Sequence, residues 1–285
     1  MWWVAVFASP DVRWLTLGSL DPVLVAVFDV PLFVIASALA ALGLRAAALV
    51  ATVWTCGVAV ALAIYATATT ESGWGVLIMS VAAAASVLAV CLVLRGRVPT
   101  EWIAAGPFAF RPARPSTPHL RTTLLQLVVF WGFFLVVVAF VLSFLERRWN
   151  LDVRFSPAVV VVGVVLLVVA SALGIASAVT MATIGRGTPL PSAMPNRLVI
   201  AGPYRLVRNP MAVAGIVQGV GVGLVASSWL VVAYAVLGSF LWNYAVRPLE
   251  EADLEQRFGT EFRQYCKRVR CWVPRWRKPS TSLES

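Results

Sequence analysis

Long uninterrupted apolar runs constrain the fold of this chain more than any other feature. Five stretches, at about residues 23–44, 46–68, 74–94, 122–145 and 157–181, each supply the roughly 20 apolar residues that a helix needs to cross a bilayer. A sixth run, 211–246, is 36 residues long. As a single helix it would measure about 54 Å, against a hydrocarbon core of about 30 Å. It therefore predicts a hairpin of two spans turning near Ala226-Ser227-Ser228, which makes seven spans in all.

Composition and charge agree with an all-α, polytopic transmembrane helical bundle. Hydrophobic residues make up 60% of the chain and charged residues 13%, against about 45–50% and about 25% in soluble domains. With the C-terminus in the cytoplasm, nineteen of the 23 Lys and Arg residues fall on the cytoplasmic side. The net charge of +10 is therefore mainly a topology signal and does not indicate a nucleic-acid partner. A composition rich in Ala, Val and Arg favours a bacterial plasma membrane.

The sequence predicts four parts. Residues 1–94 form a three-span membrane region, 95–121 a cytoplasmic loop, 122–275 the core with its polar segments, and 276–285 a disordered tail. His119 is the single histidine, so a metal site of several histidines is excluded. Asp29 is the acid deepest within a span, where a functional role and a hydrated position beside a helix break both remain open.

Two polar segments flank the predicted hairpin. The first, 183–210, is rich in Gly, Pro and Arg and contains a short β-like stretch at 198–200. The second, 247–269, reads as one amphipathic helix with a single apolar stripe of Leu254, Phe258, Phe262, Tyr265 and Val269. Within the hairpin, Gly215, Gly219 and Gly223 are spaced by four, which predicts close helix packing in a membrane and leaves open that they make room for a ligand beside the helix.

Acidic residues crowd the start of the second segment. Capping of the helix N-terminus would by itself account for them. A hairpin, however, brings its two ends together, so Tyr204, Arg208 and Asn209 before it can face Glu250 and Glu251 after it. Such a site, polar and at the membrane surface, suits a cationic polar cofactor and an amphiphilic substrate.

The two segments carry a family resemblance. The strings GRGTPLPSAMPNRLVIAGPYRLVRNPM and EEADLEQRFGTEFRQYCKRVRCWVPR resemble the isoprenylcysteine carboxyl methyltransferase family, which groups with the phospholipid N-methyltransferases. The resemblance covers about residues 183–275. It implies an integral membrane methyltransferase that uses S-adenosylmethionine without a Rossmann domain and releases S-adenosylhomocysteine.

The resemblance also implies roles for particular residues. Glu251, supported by Glu250, would hold the cofactor's ammonium or ribose hydroxyls, and Arg247 matches a position that handles the reacting end of the substrate. The remaining cofactor-binding residues on the matched positions, together with Arg208 from the argument above, are Asn196, Arg197, Leu198, Val199, Tyr204, Arg208, Asn209 and Pro210. Asn209 stands where many members have His, and Ala212 where an aromatic residue is usual, so the acceptor is not carried over.

The leading hypothesis is methyl transfer to a lipophilic acceptor, with a carboxylate favoured because Arg247 can bind it through two parallel hydrogen bonds. A phospholipid amine and a small thiol are alternatives in the same class. A sterol-type reductase using NADPH has a similar C-terminal layout, and a membrane scaffold without activity is the non-enzymatic alternative. The expected partners are the bilayer and a lipophilic or lipidated substrate, without metal or nucleic acid.

Overall fold

The computed structural model describes residues 2–104, 111–113, 119–188 and 193–275. The helices are α1 (Trp2–Ala8), α2 (Pro10–Leu17), α3 (Pro22–Ala41), α4 (Arg45–Thr69), α5 (Gly73–Arg95), α6 (His119–Arg148), α7 (Pro157–Thr183), α8 (Pro210–Val225), α9 (Trp229–Leu241) and α10 (Arg247–Arg268). Short 3₁₀ turns lie at Thr100–Ala104 and Gly202–Arg205. Wider π-helical turns occur at Val30–Ile35, Gly132–Val137 and Trp242–Val246, the last of which joins α9 to α10.

The apolar helices confirm the all-α polytopic class. Within the described residues, six are long and apolar enough to cross a membrane: α3 to α7 and the run Trp229–Arg268. The apolar part of that last run ends at Val246, and charged residues begin at Arg247. The predicted hairpin is present, although α8 has 16 residues and is thus about 24 Å long, shorter than a full span.

The hairpin turns where the sequence predicts it. Ser227 adopts a φ of 51° between α8 and α9. The side chain of Ser228 then caps α9 by accepting a hydrogen bond from the amide of Val231 at 3.3 Å. At the other end of α8, Pro210 occupies the first turn, where its missing N–H costs nothing. Both ends of α8 are therefore set by local sequence.

The described helices fall into two compact units. The first contains residues 1–99 and 143–153. In it Asp29 is buried, and each of its carboxylate oxygens accepts an indole N–H, from Trp3 at 2.8 Å and from Trp54 at 2.9 Å. Because both oxygens are satisfied by side chains of α1 and α4, structural anchoring accounts for this acid within a span.

The second unit contains residues 100–142 and those from 154 onward. Its largest contact is between α7 and α8, where a Cβ on Gly221 would lie 2.9 Å from the carbonyl oxygen of Gly163. Gly219 and Gly223 pack instead against α9. The expected close packing is therefore found at Gly219 and Gly223 but not at Gly215, where no atom lies within 4 Å of an added Cβ and the alternative of open space beside the helix stays open. The small residues of α8 thus serve two neighbouring helices.

The predicted β-like stretch, the predicted tail and the predicted cytoplasmic loop have different outcomes. The β-like stretch at 198–200 forms no strand, and an isolated parallel bridge between Pro112 and Met194 lies nearby. Within the described part of the chain, residues 198–200 have no partner strand with which to pair. The predicted tail 276–285 lies outside the described residues, as do 105–110 and 114–118 of the predicted loop. The division of the chain into four parts stays a prediction.

Candidate functional site

A sharp break at Gly259 shapes the helix that follows the hairpin. Gly259 has a φ of 51° and a ψ of −120°, a backbone conformation that essentially requires glycine. The arm before it, 247–258, and the arm after it, 260–268, therefore fold back against each other. The predicted amphipathic helix is thus present but broken at Gly259, because the sequence pattern of a stripe does not report where a helix bends.

The reversal closes the apolar stripe on itself. Phe262, Tyr265 and Val269 form a buried cluster, and Leu254 and Phe258 from the first arm pack against it. Leu198 packs on the same cluster from the loop that precedes α8. The apolar spacing was therefore predicted correctly, whereas its partner surface is the chain's own folded arm and loop.

Arg208 lies between the two arms of α10. Its Nη2 pairs with Oε1 of Glu251 at 2.7 Å, and its Nη1 donates to the carbonyl oxygens of Val269 at 3.1 Å and Cys266 at 3.4 Å. These carbonyls end the second arm, where a helix leaves acceptors unsatisfied and favours a cation. Burial by itself lowers the pKa of Arg208, but its hydrogen bond to Glu251 and that residue's charge raise it above the usual value. Arg208 is therefore a fixed cation.

Glu250 lies beside Arg208 and Glu251 but makes a weaker contact. The side-chain nitrogen of Asn209 lies 3.5 Å from its Oε2, at the limit of a hydrogen bond. Glu250 is four residues past Val246 and so outside the apolar span. Burial is the main cause that raises its pKa to about 7, with repulsion from Glu251 and Asp253 adding to the shift and the bond from Asn209 opposing it.

Tyr204 forms the wall opposite Glu250. Its ring is buried, and its backbone carbonyl accepts a hydrogen bond of 2.6 Å from the hydroxyl of Tyr265. Burial and the nearby charge of Glu250 raise the pKa of the Tyr204 phenol, so this residue stays neutral. The bond from Tyr265 joins the loop before α8 to the second arm of α10.

These side chains line a small, partly open cavity of about 50 Å³. Six sequence-predicted residues line it: Leu198, Val199, Tyr204, Arg208, Asn209 and Glu250. The sequence argument missed six others: Met181, Thr188, Met194, Pro195, Leu254 and Tyr265. Most of these are apolar, and a residue of that type carries no sequence signal that separates a cavity wall from ordinary packing.

The remaining predicted residues lie around the cavity and do not line it. The side-chain nitrogen of Asn196 donates to the carbonyls of Ala113 and Arg186, each at 3.0 Å, so it braces the loop. Arg197 is exposed, and Pro210 is buried at the start of α8. Glu251 reaches the site through Arg208.

Arg247 is half-buried at the junction of the π-turn and α10. Within the described part of the chain its Nε is buried and has no hydrogen-bond partner. A guanidinium with an unpaired donor, just past the end of the apolar span, is able to bind an anionic group.

A second arginine, which the sequence argument did not single out, holds the cavity wall. Arg257 pairs with Asp253 at 2.8 Å and donates from Nη1 to the carbonyl of Pro195 at 2.9 Å. The Asp253–Arg257 spacing of four residues is the available sequence signal, since such pairs meet on a helix surface. The wall is braced on its other side by residues 111–113, because the amide of Met194 donates to Arg111 and that of Ala113 to Met194.

Comparison with known proteins places the site within a matched region. The profile of a family described as Phospholipid methyltransferase matches residues 158–261, from the start of α7 to the second arm of α10. A cobalt-zinc-cadmium resistance protein, CzcN of Cupriavidus metallidurans, is 32% identical over 150 residues, which are 50% of this chain and 63% of that protein. A nickel-cobalt-cadmium resistance protein, NccN of Alcaligenes xylosoxydans, is 32% identical over 184 residues, 61% of this chain and 79% of that protein. The first alignment spans less than two thirds of the relative's length.

Proposed function

Because the chain belongs to the phospholipid methyltransferase family, in the group of membrane methyltransferases like isoprenylcysteine carboxyl methyltransferase, we propose that it transfers a methyl group from S-adenosylmethionine to a lipophilic acceptor. The observation that carries this proposal is the meeting of acids and arginines at the base of the hairpin. There Glu250 lines a cavity beside Asn209, and three residues earlier the Nε of Arg247 has no hydrogen-bond partner among the described residues.

The residues present fit the cofactor in chemistry. S-adenosylmethionine is a cation with an amino group, a carboxylate and hydroxyls, and the cavity offers the acid Glu250, the amide of Asn209 and the cation Arg208. In this proposal Glu250 and Asn209 contact the cofactor, while Glu251 keeps Arg208 in place. The cavity of about 50 Å³ is smaller than the roughly 300–1,000 Å³ of ligand pockets, so its walls must separate on binding.

The acceptor we favour is a carboxylate. When bound, the sulfonium supplies an electrophilic methyl group, and a carboxylate that receives it loses no proton and needs no base. Arg247 would orient that carboxylate through two parallel hydrogen bonds. Apolar walls such as Leu198 and Val199 would keep water from the reacting groups.

A second acceptor class, an amine, is supported by one observation. A neutral amine becomes cationic when methylated, and an amine that enters as its ammonium form must first lose a proton. Because burial raises the pKa of Glu250 to about 7, its carboxylate is suited to accept a proton near neutral pH. A carboxylate acceptor would therefore need Arg247 to orient it, whereas an amine acceptor would need Glu250 to accept its proton.

Cofactor binding is tested with three single variants in purified full-length protein. Glu250→Ala removes the acid that lines the cavity, Glu251→Ala removes the partner of Arg208, and Glu255→Ala removes an exposed acid of the same helix as a matched control. By calorimetry we expect Glu250→Ala and Glu251→Ala to lose affinity for S-adenosylhomocysteine and Glu255→Ala to keep it. Wild-type affinity in Glu250→Ala would overturn the site, and stabilisation by NADPH but not by S-adenosylhomocysteine would favour a reductase.

The acceptor class is tested with S-adenosylmethionine radiolabelled on its methyl group. Membranes containing the chain are incubated with the donor, and extracted lipids are treated with mild alkali. A methyl ester releases its label as volatile methanol, whereas an N-methyl group keeps it. Label that volatilises supports the carboxylate, and alkali-stable label on an amine of the extracted lipids supports the amine.

The names of the two relatives connect them with resistance to cobalt, zinc, cadmium and nickel. We propose by extension that methylation by this chain contributes to metal tolerance of its host. A deletion strain complemented with wild type or with Glu250→Ala, grown with graded cobalt, tests this. Equal growth of the two strains would separate this chain from metal tolerance without affecting the methyl-transfer proposal.

A further inference from the structure

A second, larger hollow lies on the hairpin itself. This hairpin groove has a volume of about 420 Å³. Val213, Ile216 and Val217 of α8 form one side of it. Phe240, Asn243 and Tyr244, from the end of α9 and the π-turn, form the other.

The hairpin groove begins one helical turn from the candidate site on both of its sides. On α8, Val213 follows Asn209 by four residues, one turn of helix. On the other side, Arg247 follows Asn243 by the same interval. Groups that contact Asn209 and Arg247 can therefore be attached to a chain that lies in the groove.

Trp272 stands where the groove meets the site. Its indole N–H donates to Oδ1 of Asn243 at 2.9 Å, so the ring is fixed as part of the groove wall. The preceding residue, Cys271, accepts a hydrogen bond from the amide of Asn209 at 3.4 Å. Trp272 is thus bonded to Asn243 of the groove, and the residue before it is bonded to Asn209 of the candidate site.

The groove walls are chemically suited to an alkyl chain. Phe240 and Tyr244 present stacked rings, with centroids 6.4 Å apart and an interplanar angle of 5°. Both side chains are more than half exposed, so the groove is open along that side. A volume of about 420 Å³ holds about fourteen groups of the size of a water or a methylene, taken as about 30 Å³ each.

We propose that the hairpin groove binds the alkyl chain of the methyl acceptor, a single-chain amphiphile whose anionic end lies at Arg247. This rests on the proposed function, because it names the substrate class of the same site. The capacity of the groove fits one chain, whereas a diacyl lipid would leave its second chain outside. The guanidinium of Arg247, whose Nε has no hydrogen-bond partner within the described residues, supplies the complementary charge for the head group.

Photolabelling tests occupancy without relying on activity. The probe is dodecanoic acid with a diazirine in the outer half of its chain and a terminal alkyne, applied to the full-length protein in nanodiscs. We expect peptides of the groove walls to be labelled, with unmodified dodecanoic acid as competitor. Ile216→Trp fills the groove and is expected to lower this labelling about tenfold, the effect of about 1.4 kcal/mol.

The matched control is Leu237→Trp, which adds the same bulk on α9 at an exposed position outside the groove. It should label like the wild type. Trp272→Ala is a second variant; it opens the end of the groove and should raise labelling by longer alkanoic acids relative to dodecanoic acid. Unchanged labelling in Ile216→Trp, or equal labelling of the groove by a diacyl phosphatidic acid probe, would overturn the proposal.

Affinity for S-adenosylhomocysteine separates this proposal from the proposed function. Ile216→Trp is expected to keep that affinity and to lose methylation of dodecanoic acid. Absence of S-adenosylhomocysteine binding in the wild type would refute the methyl-transfer function, while groove labelling would still report the alkyl-chain site. Loss of cofactor affinity in a folded Ile216→Trp protein would show that the groove is not a separate acceptor site.

Discussion

The break at Gly259 can be tested by the sign of a single substitution. An added Cβ at Gly259 would find no atom within 4 Å, so Gly259→Ala creates no clash. Its whole effect comes from the backbone. In a continuous helix, alanine would be more stable than glycine by about 1 kcal/mol. At a φ of 51° and a ψ of −120° it should instead cost about 1–3 kcal/mol.

The substitution should also affect the candidate site. The reversal at Gly259 allows Arg208 to contact Glu251 in the first arm and the carbonyl of Val269 beyond the second. If the arm straightens to relieve the strain, the binding-competent arrangement becomes a minor state. A bias of about 2 kcal/mol would then weaken affinity for S-adenosylhomocysteine by up to about thirtyfold.

The assay compares Gly259→Ala with Gly215→Ala. Gly215 is exposed in α8 and also has no atom within 4 Å of an added Cβ, but its φ is not positive. Thermal unfolding in detergent should therefore show a lower midpoint for Gly259→Ala and an unchanged or higher one for Gly215→Ala. If Gly259→Ala is as stable as the wild type and binds the cofactor product equally well, the folded-back geometry of α10 is wrong.

Three further substitutions have defined expectations. The pKa of Glu250 is about 7 in the folded protein and near 4.5 ordinarily, so the folded state holds this proton more tightly than the unfolded state. The stability that the bound proton contributes should therefore be lost as pH rises from about 4.5 to 7. Unfolding titrations of Glu250→Gln should show that this pH dependence has disappeared. Gly221→Ala would place a methyl against the backbone of α7, and thermal unfolding should show a loss of about 1–3 kcal/mol. Asp29→Asn would turn an amide N–H₂ toward an indole N–H of Trp3 or Trp54, and should cost about 1–3 kcal/mol in the same assay.

The membrane helices follow from sequence because their cause is local. A run of apolar residues needs a lipid or protein surround, and a helix satisfies its own backbone whatever its neighbours are. The predicted runs therefore match α3 to α7 closely, and the turn at Ala226–Ser228 follows from length alone. The packing expected at Gly215 is absent because it depends on neighbouring helices, which the local sequence does not specify. Which face of α8 meets a neighbour depends on α7 and α9, and a spacing of four does not specify it.

The folded-back form of α10 was beyond the sequence argument. Its apolar residues recur at helical spacing on either side of Gly259, so a straight and a reversed helix show the same pattern. A glycine inside a helical pattern signals only a modest loss of helix propensity. The side-chain role of Asn196 was hidden similarly, because its acceptor on Ala113 lies 83 residues away in the chain.

The charged residues at the base of the hairpin were predicted as one group, but in the structure they differ in how many hydrogen bonds they make. Arg208 and Glu251 are 2.7 Å apart, and both terminal nitrogens of Arg208 are hydrogen-bonded although its Nε is not, so this pair holds the loop to α10. Glu250 has one long contact, to Asn209, and the Nε of Arg247 has none within the described residues. Ligands compete poorly for groups that already have strong partners, since removing one partner leaves the other buried and unpaired. In the proposed function Glu250 and Arg247 are therefore the acid and the cation best able to meet a cofactor and an acceptor, and the neighbouring ion pair holds the loop that lines the cavity against α10.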